Sequence, residues 1–216
     1  MSMSRYVTAI ASAAILACLL TACATATAAA PADDGERLAP SFAALAQQYL
    51  NEGAMSDWDR AVVEKAARTG RISQADYDEG ADNFEACMIA GGERWVRTRH
   101  LNGVVEFQPP HESSSSDAES ENQLRVQGQC YSSGYLVTQE LFAIQQVNPD
   151  LLSNFSLVAL KCLKSAGVVD EDFPLDEYES AMGPHLIPVE YPFDVMDPRS
   201  QTCLWSTGSA VSVNGG

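Results

Sequence analysis

Ile72-Ser73-Gln74-Ala75-Asp76-Tyr77-Asp78-Glu79-Gly80-Ala81-Asp82-Asn83-Phe84-Glu85-Ala86-Cys87-Met88-Ile89-Ala90-Gly91 reads as one helix. Ser73 stands as its N-cap with Asp76 three residues on, a short relative of the capping box, in which side chains take the unpaired N–H groups of a first turn. Ile72 before the cap and Tyr77 after it form a hydrophobic staple. Tyr77, Ala81, Phe84 and Met88 recur at helical spacing, and Gly91 closes the segment. Cys87 lies beside that apolar stripe, placed to tie the helix to another element.

The end of this stretch has an echo downstream. Phe84-Glu85-Ala86-Cys87-Met88, closed by Gly91, resembles Leu160-Lys161-Cys162-Leu163, closed by Gly167. The next cysteine along the chain is Cys130 in the first case and Cys203 in the second. Four cysteines allow three pairings. The echo favours Cys87–Cys130 and Cys162–Cys203, each helix stapled to its own downstream segment, although chance similarity of helix-plus-cysteine patterns would leave the other pairings open. No Cys-x-x-Cys is present, which argues against a redox motif or a zinc ribbon.

Other segments extend the helical pattern. Ser41 to Leu50 places Phe42, Leu45 and Tyr49 on one face and stops at Gly53. Ser56 caps a helix carrying Trp58, Ala61, Val62 and Ala66, which Gly70 ends. Residues 94–108 read as a β-hairpin about Asn102-Gly103, a pair suited to a two-residue turn with positive φ. That turn sets Leu101 opposite Val104, His100 opposite Val105, Arg99 opposite Glu106 and Thr98 opposite Phe107. Val96, Thr98, His100, Val105 and Phe107 then form the core face. Pro109 to Glu121, with four consecutive serines, reads as an exposed loop, and Leu124 with Val126 as a short strand. Helices follow over 135–147, 153–166 and 174–182, and Asp197-Pro198 opens a last one. The expected fold is mainly α with one hairpin: a small helical domain stapled by two disulfides.

The N-terminus reads as an export signal. Arg5 precedes an uncharged apolar run from Val7 to Leu20, shorter than a bilayer span needs. Leu20-Thr21-Ala22-Cys23 then has the form of a lipobox, with Cys23 as lipid acceptor and new N-terminus. An ordinary secretory signal cut near Ala26 or Ala28 is the alternative, and it would leave the protein secreted. The expected organisation is a signal peptide over 1–22, a flexible tether over 23–40 and a helical domain over 41–205. A disordered loop near 110–122 interrupts that domain, and a frayed tail covers 206–216.

Lipobox, Ala-rich tether, an Ile-Ser-x-x-Asp-Tyr helix leading into Phe84-x-x-Cys87-Met88, and the Cys-Leu-x-x-Ala-Gly turn at 162–167 together resemble small secreted lipoproteins of high-GC Gram-positive bacteria. The resemblance covers most of the mature chain. It implies lipid on Cys23, staples at Cys87, Cys130, Cys162 and Cys203, and no particular activity.

Charge narrows the partners. The formal net charge is −16, which opposes binding to nucleic acid, whose affinity comes from cationic contacts to phosphate. Membrane attachment is then expected through the lipid. Most of the cations cluster, at Arg60, Lys65, Arg68, Arg71, Arg94, Arg97 and Arg99. Trp95, Arg97 and Arg99 form the candidate binding group, suited to an anionic wall polymer or an acidic protein. Neutralisation by the protein's own acids, such as Glu106 against Arg99, is the plainer reading of those charges.

No catalytic motif emerges. Histidine is limited to His100, His111 and His185, with no Gly-x-Ser-x-Gly, Ser-x-x-Lys or His-Glu-x-x-His. The acids at 170–179 miss the glycine and glutamate that a calcium loop requires and suit a helix N-terminus. No cofactor or metal is expected. The expected function is that of a non-enzymatic binding or adaptor module on the outer face of the cell membrane, serving a membrane complex or wall component. An envelope hydrolase with a carboxylate site is the alternative.

Overall fold

A computed structural model of the chain describes residues 35–109, 117–183 and 190–209. The lipobox with Cys23, the signal peptide, most of the tether, His111 and His185 lie outside these residues. The described chain runs α1 (Phe42–Glu52), α2 (Asp57–Thr69), α3 (Gln74–Ala90), β1 (Val96–Arg99), β2 (Val105–Gln108), α4 (Asp117–Ser132), α5 (Leu136–Val147), α6 (Phe155–Ser165), α7 (Leu175–Met182) and α8 (Pro198–Ser206). The fold is mainly helical with one two-stranded antiparallel sheet, as the sequence leads one to expect.

The caps fall where the side-chain chemistry requires. Ser41, Ser56 and Ser73 each accept a hydrogen bond from the backbone N–H three residues on, opening α1, α2 and α3. Asn154 does the same for α6. Asp197 caps α8 with proline in the first turn. Gly70 ends α2 in the left-handed conformation, with φ of 75°.

Two apolar clusters lie within the domain. The larger joins α1 through α5 and the hairpin, and centres on Tyr77, Phe84, Tyr135 and Phe142. Tyr77 stacks on Phe142 with ring centroids 3.9 Å apart. The smaller cluster draws Leu160, Leu163, Tyr178, Phe193 and Leu204 from α6, α7, α8 and the segment before α8. Each cluster has its own disulfide: Cys87–Cys130 ties α3 to α4, and Cys162–Cys203 ties α6 to α8. The bridged cysteines are 43 and 41 residues apart. The favoured pairing is the one found.

Four expectations need correction. The hairpin register is shifted by one residue, with Arg99 opposite Val105, Thr98 opposite Glu106, Arg97 opposite Phe107 and Val96 opposite Gln108. Leu101-Asn102-Gly103 forms a three-residue loop closed by His100 N–H to the Val104 carbonyl at 2.8 Å and Gly103 N–H to the His100 carbonyl at 3.0 Å. Only Gly103 in that loop has positive φ, as in a type I turn followed by a glycine bulge. A one-residue slip exchanges faces on one strand. Arg97 and Arg99 therefore share a face with Val105 and Phe107, while Thr98 shares one with Glu106.

Second, Leu124 and Val126 belong to a helix rather than a strand, and residues 117–122 are its start rather than part of a disordered loop. Val126 and Cys130, four apart, are the residues α4 buries, and Leu124 points outward. Third, residues 36–39 dock on the domain instead of belonging to a free tether. Arg37 bridges Leu152, Leu38 N–H donates to the Leu151 carbonyl at 2.7 Å, and Ala39 is buried. Fourth, residues 206–209 are held: Ser209 N–H donates to the Leu204 carbonyl at 2.9 Å, and its hydroxyl lies 3.3 Å from that of Tyr178. Residues 210–216 of the expected frayed tail lie outside the described residues.

Candidate functional site

The hairpin is held between two helices. Against one face, Arg97 donates from Nη1 to Asp82 at 2.6 Å and to Glu85 at 2.9 Å on α3. Arg99 donates to Asp78 on the same helix at 2.9 Å and to the Gly103 carbonyl at 2.9 Å. The Arg97 guanidinium also lies over the Phe107 ring, 5.8 Å from its centroid. Burial opposes its charge, but the hydrogen bonds it donates to Asp82 and Glu85 prevail and raise the Arg97 pKa above its ordinary value. At the other face, His100 and Glu106 are buried, with Nε2 and Oε2 2.9 Å apart, and the imidazole stacks on Trp205 of α8. Asn102 and the Leu101 N–H bond Ser206 and Thr202 on that helix.

Trp95, Arg97 and Arg99 thus come together on one strand margin, but not as an open cationic patch. The partners are the α3 acids, not Glu106, which the register places on the opposite face beside His100. Lys65 is likewise paired, to Asp76 at 2.8 Å. Although burial raises it, hydrogen bonds from Lys65 and Ser73 lower the Asp76 pKa overall. Neutralisation within the chain is the reading that the geometry favours for these cations.

Trp95 marks a different feature. With Glu85, Met88, Ile89, Glu93, Arg94 and Phe107 it lines a recess of about 120 Å³ between the C-terminal end of α3 and the start of β1. Small-molecule pockets generally run to roughly 300–1,000 Å³, so this space suits one side chain rather than a metabolite. The lining combines four apolar side chains, Met88, Ile89, Trp95 and Phe107, with two carboxylates and one guanidinium. Trp95 Nε1 is buried without a hydrogen-bond partner.

The two sheet edges differ. On β2, Val105 N–H donates to the Tyr77 hydroxyl at 2.8 Å, and that hydroxyl lies 3.4 Å from the Val105 carbonyl. Tyr77 also accepts from the Tyr135 hydroxyl at 2.9 Å. Burial raises the pKa of both phenols, so they are neutral donors and acceptors at physiological pH. This edge is closed by the core. On β1, alternation from the His100–Val104 pair turns the N–H and C=O groups of Arg97 and Arg99 away from β2. No hydrogen bond to them is made by any described residue. Val96, Thr98 and Arg99 are exposed.

The open edge escaped sequence reading because it depends on the register. Asp176 and Glu177 sit in the first turn of α7, as the helix dipole favours. Among the described residues, no group of three or more His, Cys, Asp or Glu side chains is placed to hold a metal ion, and no helix is long and apolar enough to cross a membrane. No protein-family model, curated protein or solved structure matches the chain.

Proposed function

We propose that the protein is a lipid-anchored binding module on the outer face of the cell membrane, attached through Cys23 and engaging a protein of the envelope. The observation that carries this reading is the pairing of all four cysteines beyond Cys23 into two disulfides, one in each apolar cluster. Such bonds persist in oxidising compartments outside the cytoplasmic membrane. The lipobox Leu20-Thr21-Ala22-Cys23 supplies the matching address. Acyl chains confine the module to the plane of its partners and raise effective concentration without further contacts. A small secreted lipoprotein of the high-GC Gram-positive type has this organisation.

The test is in-cell crosslinking of the full-length protein followed by mass spectrometry, with Cys23→Ala as control. Recovery of one envelope protein with the wild type, and its loss with the variant, supports the reading. Recovery of wall fragments alone, or the same products from both forms, contradicts it.

A further inference from the structure

We propose that the open edge of β1 and the recess at Trp95 form a docking site for an extended segment of a partner protein that carries a lysine or arginine anchor. The inference rests on the reading of the chain as a binding module, and it names the chemistry of the partner.

Strand addition to an open edge draws affinity from main-chain hydrogen bonds and specificity from alternate side chains. β1 offers the outward N–H and C=O groups of Arg97 and Arg99 at an exposed margin, while on the far edge Tyr77 occupies the Val105 N–H and both Val105 and Phe107 are buried. Trp95 immediately precedes β1, so a strand laid along Arg99 to Val96 continues over the recess. There the stem of a lysine or arginine packs on Trp95, Ile89 and Phe107, and its charged head meets Glu93 first, with Glu85 shared with Arg97 beside it. Arg94 and Arg97 oppose a cation, but Asp82, Glu85 and Glu93 outnumber them there, and the whole chain carries −16. A second copy of the chain is a poorer occupant. Pairing β1 with itself sets arginines against arginines across the new ladder, which is destabilising.

The probe is an acetylated, amidated hexapeptide of alternating valine and lysine, titrated by calorimetry and by heteronuclear NMR against the full-length chain in detergent. Saturable binding with shifts confined to residues 93–100 and the C-terminal end of α3 is expected. The same peptide with glutamate for lysine, or with N-methylated backbone amides, should bind at least about fivefold more weakly, the loss of one hydrogen bond's worth of affinity. Arg99→Pro removes one outward N–H without cutting the β1–β2 ladder, since edge positions tolerate proline. It should weaken binding by a similar factor, and Arg99→Ala by less. Trp95→Ala should weaken it too, with disulfides and helical content kept as evidence of folding.

Absence of saturable binding overturns the proposal, as does equal binding of the glutamate or N-methylated peptide, or self-association through β1. Because the assay needs neither lipid nor membrane, a negative result leaves the crosslinking test of anchoring untouched. A membrane partner found without peptide binding removes the β1 site alone.

Discussion

Asp59 on α2 caps α5, a helix distant in sequence. Its Oδ1 accepts from Thr138 N–H at 3.0 Å and from the Thr138 hydroxyl at 2.7 Å, and Ser56 donates to its Oδ2 at 3.2 Å. Tyr135, the residue at the N-cap position of α5, makes no side-chain cap. The buried carboxylate therefore supplies the acceptor that the first turn lacks, and it ties α2 to the start of α5. Asp59→Ala should lower stability by about 3 kcal/mol, the scale for hydrogen bonds to a buried charged group. Thr138→Val should cost less, and the two losses should fall well short of additive in a double-mutant cycle read by urea denaturation.

Two helical glycines should respond in opposite directions. A Cβ at Gly80 would meet Trp58 Cη2 at 2.6 Å, Trp58 Cζ3 at 2.9 Å and Tyr135 Cδ2 at 3.1 Å. At Gly128 it would meet nothing within 4 Å. Gly128→Ala should therefore stabilise by roughly 0.5–1 kcal/mol through helix propensity. Gly80→Ala should instead destabilise by about 1–3 kcal/mol, because overpacking outweighs that gain. Thermal melts of both variants decide the matter.

Each disulfide should contribute on the order of 4 kcal/mol if loop entropy dominates, since the closed loops are similar in length. Replacing either pair by serine should lower the urea midpoint by comparable amounts. Non-reducing peptide mapping should link Cys87 to Cys130 and Cys162 to Cys203. A peptide joining Cys87 to Cys162 would contradict the two-cluster organisation.

Hydrogen bonds from the Arg199 guanidinium and backbone pull the exposed Asp197 carboxyl down to about 2. A carboxyl with a lower pKa in the folded state stabilises it when ionised. That contribution is complete above the ordinary aspartate range of about 4 and is lost as pH falls through 2. Amide protection in the first turn of α8 should weaken across that window. Asp197→Asn should remove this part of the pH dependence.

Helices with a full apolar stripe and a serine cap were legible in sequence, because α1, α2 and α3 carry their own instructions. α4 was not: its Asp117–Ser132 sequence is polar and buries little beyond Val126 and Cys130, and its packing rests on the disulfide to α3. The docking of residues 36–39 likewise depends on Leu151 and Leu152, far along the chain. At the candidate site, Trp95, Arg97 and Arg99 were visible as residue types, but the α3 acids that neutralise the arginines lie 12–21 residues away. Asn102-Gly103 signalled a turn correctly, yet a two-residue and a three-residue loop use the same pair. That choice decides which side chains face α3.

The most direct test of the lipid-anchored reading is intact-mass and N-terminal peptide analysis of the mature protein from its membrane fraction. The account predicts a chain beginning at Cys23 and carrying thioether-linked diacylglycerol, absent from the Cys23→Ala form. An unmodified chain beginning beyond Cys23, recovered from the medium, would contradict it.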